Sequence, residues 1–297
     1  MSYLATWARR LHPSVTVVHY EDVLNGAVIP GASTYVFTDL ERLRPRGLER
    51  ATSLADALAG RAVVLNHPRD ALRRFELLDL LYELGVNRFR AYRIGAVTTP
   101  ERFPVFLRRE DAHNGPASAL LYTQEELDAA IADRARSGRN VSKLLIVEFE
   151  DVSDEAGVYH RQVTYVIGEE LVHGNLAFDT HWVVKYAGPV FGEQLARQRL
   201  AWDSKEHVPL LRELAERASV QYGRFDYAIV GDGIQIWELN TNPTLLFTPD
   251  RYPPDVRPDR RVVADRITNA LARLAEGAQA EPFAWRASTS SRLRSRR

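Results

Sequence analysis

Residues 224–246 constrain the fold of this chain more than any other stretch, because they predict two strands joined by a tight turn. Residues 224–230 and 234–239 are rich in aromatic and β-branched side chains, as strands usually are. Gly231-Asp232-Gly233 lies between them and can adopt the positive φ angles of a hairpin turn. We therefore expect a β-hairpin here.

The hairpin fixes which side chains lie opposite one another. If it is symmetric about Asp232, Asp226 faces Glu238 and Arg224 faces Asn240. Strand side chains alternate between the two faces of a sheet, so these four share one face. The opposite face is predicted to be core, and its members are Phe225, Tyr227, Trp237 and Leu239.

Two carboxylates opposite each other on paired strands repel, so a positive group is expected between them. Asn240 adds a neutral oxygen, and such an oxygen cluster with an incomplete ligand count suits Mg²⁺ bound together with phosphate. We predict Asp226, Glu238 and Asn240 as magnesium ligands. A second interpretation stays open, in which Arg224 or water satisfies the carboxylate pair.

The order of these residues resembles the metal-binding end of the ATP-grasp superfamily, which includes glutathione synthetase and D-alanine–D-alanine ligase. The resemblance rests on Asp226, Glu238-Leu239-Asn240 and Asn242-Pro243, and it can be followed over residues 60–247. It implies an α/β (α+β) chain with the ATP-grasp fold. The implied parts are a pre-grasp α/β domain (1–93), a nucleotide-covering subdomain (94–150) and a metal-binding subdomain (151–285). The last residues, 286–297, are polar and basic, which predicts a disordered tail.

Composition narrows the classes of function. The chain has 297 residues, no cysteine, and 39 acidic and 39 basic residues. The absence of cysteine excludes disulfides, thiolate metal sites and a cysteine nucleophile. The balanced charge gives no general attraction to nucleic acid or anionic membranes, and no apolar run reaches the roughly 18–20 residues of a membrane span. We expect a cytoplasmic protein without nucleic-acid or membrane partners, whose oligomeric state the sequence does not indicate.

The N-terminal part alternates between strand and helix patterns, which predicts a small α/β unit. Strands are expected at residues 15–20, 35–37 and 62–65, with helices over 53–60 and from 66 to about 84. Asn66-His67-Pro68 is similar to the Asn-x-Pro of glutathione synthetase. Arg73 and Arg74 lie near the position of a phosphate-binding lysine in that family, although a solvated helix face explains both arginines as well.

Residues 103–150 have the element order of the family's nucleotide-binding subdomain. The expected elements are a strand at 104–107, a polar loop at 110–118, a helix that begins with a capping box at Thr123 and Glu126, and a strand at 143–149. The resemblance implies that the strand-end cation Arg108 and the loop contact phosphates, with Asn114, Gly115 and Ser118 as candidate ligands. Relatives usually carry lysine at the position of Arg108, and an ordinary turn also explains a loop with one glycine.

Glu148, Phe149 and Glu150 resemble the hinge that holds adenine in this family. The resemblance implies that the extended backbone at Glu148-Phe149 exchanges hydrogen bonds with the adenine edge. The alternative for Glu148 is a charged side chain on an edge strand, in contact with water.

Three residues are candidates for stabilising charge during phosphoryl transfer. Arg161 lies near the start of the alternating strand predicted at 159–167, where relatives carry a basic residue that points into the site. The segment His173-Gly174-Asn175-Leu176-Ala177 resembles the Arg-Gly-Asn-Leu-Ala of glutathione synthetase. Histidine replaces arginine at His173, so Arg161 or Lys185 is expected to supply a missing cation. A surface cation at Arg161 and a structural role for His173 are the alternatives, and Asn175 is a candidate metal or substrate contact.

The resemblance implies an ATP-dependent ligase that uses ATP and Mg²⁺. In that chemistry ATP phosphorylates a small-molecule carboxylate, and an amine, a thiol or a related nucleophile then attacks the acylphosphate. Two alternatives stay open. One is a small-molecule kinase with the same fold, and the other is a nucleotide-binding regulatory protein with impaired catalysis, to which Arg108, His173 and the glycine-poor loop point.

Overall fold

The computed structural model describes residues 2–96, 99–113, 115–185 and 192–285, and it confirms the predicted α/β (α+β) class. The helices are Ser2–Thr6 (α1), Tyr20–Leu24 (α2), Pro45–Ala59 (α3), Arg74–Glu83 (α4), Gln124–Arg136 (α5), Gly192–Asp203 (α6), Val208–Arg217 (α7) and Arg257–Leu274 (α8). The strands are Val28–Ile29 (β1), Thr34–Val36 (β2), Val63–Leu65 (β3), Ala91–Arg93 (β4), Val105–Arg109 (β5), Leu144–Glu148 (β6), Tyr159–Ile167 (β7), Glu170–Asp179 (β8), Tyr222–Val230 (β9), Gly233–Asn240 (β10) and Phe283–Ala284 (β11).

The N-terminal unit is a parallel strand pair with a crossover helix. β2 and β3 pair in parallel, and α3 connects them. The helix begins at Pro45 rather than near residue 53, since proline is favourable in the first turn of a helix. Its apolar stripe faces the core and consists of Ala51, Leu54, Ala55 and Leu58.

The middle of the chain forms a three-stranded antiparallel sheet of order β4-β6-β5. Helix α5 packs on this sheet through Leu127, which is fully buried among its side chains. The predicted helix start is confirmed, because Thr123 Oγ1 accepts a hydrogen bond from Glu126 N at 3.2 Å. β5 is therefore an edge strand of this sheet, and the loop that follows it begins at that edge.

The largest sheet is antiparallel, with strand order β10-β9-β7-β8. One of its faces packs on α8, where Val163 and Ile267 belong to the same buried cluster. Its other face joins a larger core, in which Phe225 lies with Leu77 of α4 and Leu145 of β6. All three parts of the chain thus meet around this sheet.

The strand predicted at residues 15–20 is wrong. A 3₁₀ helix occupies Arg9–Ser14, and α2 begins at Tyr20. Val17 and Val18 between them are 53% and 47% exposed. A short apolar run without a pairing partner therefore stays irregular.

Several pairings cross the predicted domain boundaries, and the division itself stays a prediction. β4 pairs with β6, although the boundary at residue 93 assigns it to the first unit. β1 pairs with β11 near the C-terminal end of the described chain. The predicted tail at 286–297 lies outside the described residues. In the part of the chain that the structure covers, no helix is both long and apolar enough to cross a membrane.

Candidate functional site

The β9–β10 hairpin brings the two predicted carboxylates together. The predicted pairs Asp226–Glu238 and Arg224–Asn240 are confirmed. The turn is shorter than expected, because Val230 already pairs with Gly233.

A β-bulge brings Asp226 and Glu238 opposite each other although the turn is shorter than expected. The register shifts by one residue between Ile236, which pairs with Tyr227, and Glu238, which pairs with Asp226. The extra residue is Trp237, which is half-buried against the core. Without the bulge Trp237 would face Asp226, so the bulge aims Glu238 at the site.

Asp226 is held by two arginines on the same face of the sheet. Arg224 Nε lies 2.6 Å from Asp226 Oδ1, and Arg224 Nη2 lies 3.0 Å from Oδ2. Arg161 Nη1 donates to the same Oδ2 at 2.9 Å. Arg224 therefore pairs with Asp226, as the second interpretation of the carboxylate pair expected. Arg161 contacts the same predicted metal ligand.

Glu238 is held by two arginines and a histidine from elsewhere in the chain. Arg74 Nη2 donates to Glu238 Oε1 at 2.6 Å, and Arg108 Nη2 donates to Oε2 at 2.7 Å. His113 Nδ1 lies 2.7 Å from Oε1. The side chains of Glu238 and Arg108 are 11% and 12% exposed, so these contacts are largely shielded from water.

The charges in this cluster shift the protonation of its members. Burial alone would raise the pKa of the Glu238 carboxyl, but Arg108 and Arg74 outweigh it and hold the pKa well below its usual range. Burial, together with the neighbouring charge of Arg74, lowers the pKa of Arg108 to about 10. Glu238 is therefore ionised and Arg108 protonated at neutral pH.

The residues fit Mg²⁺ only when an anion accompanies it. Two carboxylates and the four guanidinium groups that contact them carry a net charge of +2, which repels a free divalent cation. A nucleoside triphosphate with bound Mg²⁺ carries about −2, which would balance this charge. Asn240 Oδ1 accepts from Asn242 N at 2.8 Å and has a second lone pair for a ligand.

The loop after β5 folds back along its own strand. Pro116 bridges to Arg108, and Ser118 Oγ accepts from Leu107 N at 2.9 Å while donating to Ala119 O. Gly115 has a φ of +79°, a conformation that favours glycine. The Ser118 hydroxyl is therefore engaged within the loop, and the predicted ligand Asn114 lies outside the described residues.

The predicted hinge is part of the three-stranded sheet. Glu148 N donates to Arg90 O at 3.0 Å, and Phe149 N donates to Pro104 O at 2.9 Å. The Glu148 side chain is buried and accepts from Tyr92 Oη at 2.9 Å, so the interpretation as a water-exposed edge charge is wrong. Glu150 pairs with Arg102, whose Nη2 lies 3.2 Å from its carboxylate. Both of these predicted backbone donors are thus already engaged.

Aromatic side chains lie next to this hinge. The ring of Trp182 is 5.0 Å from that of Phe106 on β5 and 5.7 Å from that of Phe149. Lys185, the other cation predicted nearby, is exposed, and its carbonyl accepts from Arg161 Nη2 at 3.3 Å. Residues 182–185 therefore contact both the hinge and Arg161, which holds Asp226.

His173 lies on the opposite face of the sheet from the carboxylates. It pairs with Thr164, and Thr164 pairs with Phe225, which alternates with Asp226. Its Nδ1 lies 2.8 Å from Thr164 Oγ1, and its Nε2 lies 3.0 Å from Ser204 O. Burial lowers the pKa of His173, so the imidazole is neutral at pH 7. The structure therefore does not bring His173 to the face that carries Asp226 and Glu238.

The neighbours of His173 have packing roles. A Cβ on Gly174 would lie 2.7 Å from Val163 Cγ2, so only glycine fits there without a shift. Asn175 Oδ1 accepts a short hydrogen bond from the buried Arg260 of α8. This segment therefore joins β8 to its surroundings, and Asn175 does not contact the carboxylate cluster.

Sequence reasoning missed two contacts that hold Glu238, those of Arg74 and His113. In the sequence, only the resemblance points to Arg74, near the position of a phosphate-binding lysine. It begins α4, is 5% exposed, and also donates to Arg109 O at 2.6 Å and Ala112 O at 2.7 Å, so the interpretation as part of a solvated helix face is wrong. His113 lies in a loop and has no local pattern that marks it, so only its long-range contact to Glu238 identifies it.

Comparisons with known proteins gave likenesses in structure only. No protein-family model and no curated protein matches the sequence. Among solved structures, the chain resembles a RimK-domain ATP-grasp protein from Sphaerobacter thermophilus at 18% identity and a TM-score of 0.41, over 74% of this chain and 76% of that one. It resembles D-alanine–D-alanine ligase from Coxiella burnetii at 10% identity and a TM-score of 0.47, over 82% and 70% of the two chains. It also resembles the ATP-grasp ligase PsnB, solved with Mg, ADP and a phosphomimetic variant of its minimal precursor, at 14% identity and a TM-score of 0.43, over 77% and 68%. Two of these three solved structures, the RimK-domain protein and PsnB, are described as ATP-grasp proteins.

Proposed function

We propose that this chain is an ATP-dependent ligase of the ATP-grasp superfamily, which joins a small-molecule carboxylate to an amine or a related nucleophile through an acylphosphate. One observation carries the proposal. Asp226 and Glu238 lie opposite each other in a sheet, and arginines from four different elements converge on them.

The arginines are suited to exchange one anion for another. Guanidinium groups bind phosphate and carboxylate in the same bidentate manner, so a triphosphate can take the place of a carboxylate partner. Arg108 of β5 contacts Glu238, and Arg161 of β7 contacts Asp226. In the proposed complex these two arginines turn to the phosphates and release Glu238 Oε2 fully and Asp226 Oδ2 in part, since Arg224 Nη2 still donates to Oδ2.

The released oxygens, together with Asn240, would hold Mg²⁺. When bound, the ion neutralises charge that develops on the phosphates during transfer. Arg74 and His113 keep Glu238 Oε1 in place, and Arg224 keeps Asp226 in place. These residues position the ligands, while the reaction itself depends on orientation and charge neutralisation.

The test is release of ADP by the full chain with Mg·ATP and pools of small carboxylates and amines. Asp226→Asn is expected to lower turnover by about 100-fold or more, because it removes a ligand of the phosphoryl-transfer site. Asp265→Asn serves as the control, since Asp265 is an exposed residue paired with Arg261 on α8. Unchanged ADP release in the Asp226 variant would contradict the proposal.

Arg108→Lys sharpens the test of phosphate binding. Lysine keeps the charge, and relatives usually carry it at this position, so ATP affinity is expected to remain within about tenfold. Arg108→Met removes the charge and is expected to weaken ATP binding by at least about tenfold. Equal affinities in the two variants would remove Arg108 from the nucleotide site.

A second candidate function is a nucleotide-binding protein without catalysis. The placement of His173 favours it, because the residue at the position of the family's arginine lies on the opposite face of the sheet. Binding of Mg·ATP without ADP release, over all substrate pools and in cell extract, would support this candidate. A phosphorylated product without amide formation would instead indicate a kinase.

A further inference from the structure

Potential metal-ligand atoms lie close together beside Glu238, on the side chains of Asp39, Glu41 and His113. Atoms of Asp39, Glu41 and His113 all lie within 4.8 Å of one another. His113 Nε2 is 3.5 Å from Glu41 Oε1 and 3.8 Å from Asp39 Oδ1. Both His113 Nε2 and Asp39 Oδ1 are buried and have no hydrogen-bond partner within the described chain. Buried polar atoms of this kind need a partner.

The two ring nitrogens of His113 face different carboxylates. Its Nδ1 lies 2.7 Å from Glu238 Oε1, and an ionised carboxylate only accepts hydrogen bonds, so Nδ1 donates. Its Nε2 faces Glu41 Oε1 and Asp39 Oδ1 on the other side of the ring. Two buried atoms without a hydrogen-bond partner among the described residues, His113 Nε2 and Asp39 Oδ1, therefore face each other across a gap.

We propose that Asp39, Glu41 and His113 bind a divalent transition-metal ion of the Zn²⁺ type. Zn–N and Zn–O bonds of about 2.1 Å at a tetrahedral angle separate the two ligand atoms by about 3.4 Å. The Nε2–Glu41 distance of 3.5 Å agrees with this value, and it is too long for a hydrogen bond. Three protein ligands leave one position for water or substrate.

Neighbouring residues hold the ligands as expected for such a site. Metal-bound histidine commonly donates its other N–H to a carboxylate, and here Glu238 accepts from Nδ1. Thr241 Oγ1 donates to Glu41 Oε2 at 3.1 Å and leaves Oε1 directed at His113. An imidazole ligand favours a transition metal over Mg²⁺.

One competing cation lies nearby. Arg42 Nε is 3.3 Å from Asp39 Oδ1, but the Arg42 side chain is 57% exposed. An exposed ion pair of this kind contributes little, so a metal ion displaces it easily. The ion would tie the segment after β2, the loop after β5 and the end of β10 to one another. This proposal goes beyond the proposed function and does not depend on it.

The test is titration of the metal-stripped full chain with Zn²⁺ against a chromogenic chelator, in excess Mg²⁺ and without nucleotide. One equivalent is expected to bind tightly. His113→Gln and Asp39→Asn are each expected to weaken binding by at least about 100-fold, because each removes a ligand. His67→Gln is the control, since His67 also lies near two carboxylates, but those of Asp56 and Asp70 are 48% and 56% exposed.

Thr241→Val separates ligand loss from misfolding, because it keeps the side-chain shape and removes only the support of Glu41. We expect it to weaken Zn²⁺ binding by about tenfold. Co²⁺ in place of Zn²⁺ should give visible absorption bands in the wild type that the Asp39 variant lacks. Absence of tight Zn²⁺ binding, or equal binding by the wild type and the Asp39 variant, would overturn the proposal whatever the outcome of the ATP experiments.

Discussion

The two faces of the four-stranded sheet both carry polar residues that resemble functional ones, but they satisfy these residues differently. On one face, the two ring nitrogens of His173 are hydrogen-bonded to Thr164 and Ser204, which lie 9 and 31 residues away in the chain. On the other, Glu238 is held by Arg74 and Arg108, which lie 164 and 130 residues away.

This difference separates structural from exchangeable polar groups. A neutral histidine between a hydroxyl and a carbonyl has no charge to offer a ligand. Buried guanidinium–carboxylate pairs hold opposite charges that a charged ligand can separate and rebind. Motif resemblance alone does not distinguish the two cases, whereas the partners of each side chain do.

The largest expected effect is loss of charge balance around Glu238. Glu238→Gln leaves the guanidinium groups of Arg74 and Arg108 buried without a counter-charge, so the free energy of unfolding should fall by about 3–5 kcal/mol. Urea denaturation measures this. Glu213→Gln, in an exposed pair with Arg217, should change it by less than about 1 kcal/mol. Equal effects would show that the cluster is not a buried charge network.

The opposite face should affect stability without affecting nucleotide binding. His173→Leu leaves Thr164 Oγ1 and Ser204 O with one partner fewer, at roughly 1–3 kcal/mol for a buried polar group left unsatisfied. The Kd for Mg·ATP should stay within about twofold of the wild type, since the side chain lies away from the carboxylates. A large loss of ATP affinity in a folded His173 variant would contradict a purely structural role for this face.

Gly174 tests whether the segment next to His173 is there for packing, and its Cβ would point to the face opposite His173. Gly174→Ala places a Cβ against Val163 and Tyr165, and we expect a loss of about 1–3 kcal/mol from overpacking. Gly60→Ala is the matched control, because no described atom lies within 4 Å of the position that its Cβ would take. Similar stabilities of the two variants would argue against a packing role.

The smallest expected effect is a pH dependence of the free energy of unfolding that comes from the face carrying His173. Burial lowers the pKa of His173 and of His160 in the folded state, so the unfolded chain binds more protons below about pH 6.5. Their contribution to stability is therefore present above that pH and is lost as the pH falls. His173→Leu should flatten part of this slope in urea titrations between about pH 7.5 and pH 5.5. An unchanged slope would mean that the folded state takes up the proton as readily as the unfolded chain.

Local sequence patterns predicted the strands that carry the site. The partners of its charged side chains come from distant parts of the chain, which local patterns do not show. The alternation over Tyr159–Ile167 and the hairpin residues gave the correct strands, because their side chains fit a half-buried sheet. The pair Asp226–Glu238 was reached through a bulge at Trp237 that no local pattern indicates. The contact from Arg74 to Glu238 depends on how α4 docks, which one sequence does not reveal.

Calorimetric titration of the full chain with Mg²⁺, with ATP and with Mg·ATP tests the central claim most directly. The account predicts that Mg·ATP binds, that Asp226→Asn weakens this binding, and that Mg²⁺ alone gives no heat of binding, because the carboxylates are already neutralised by arginine. Tight binding of Mg²⁺ alone, or no binding of Mg·ATP, would contradict it.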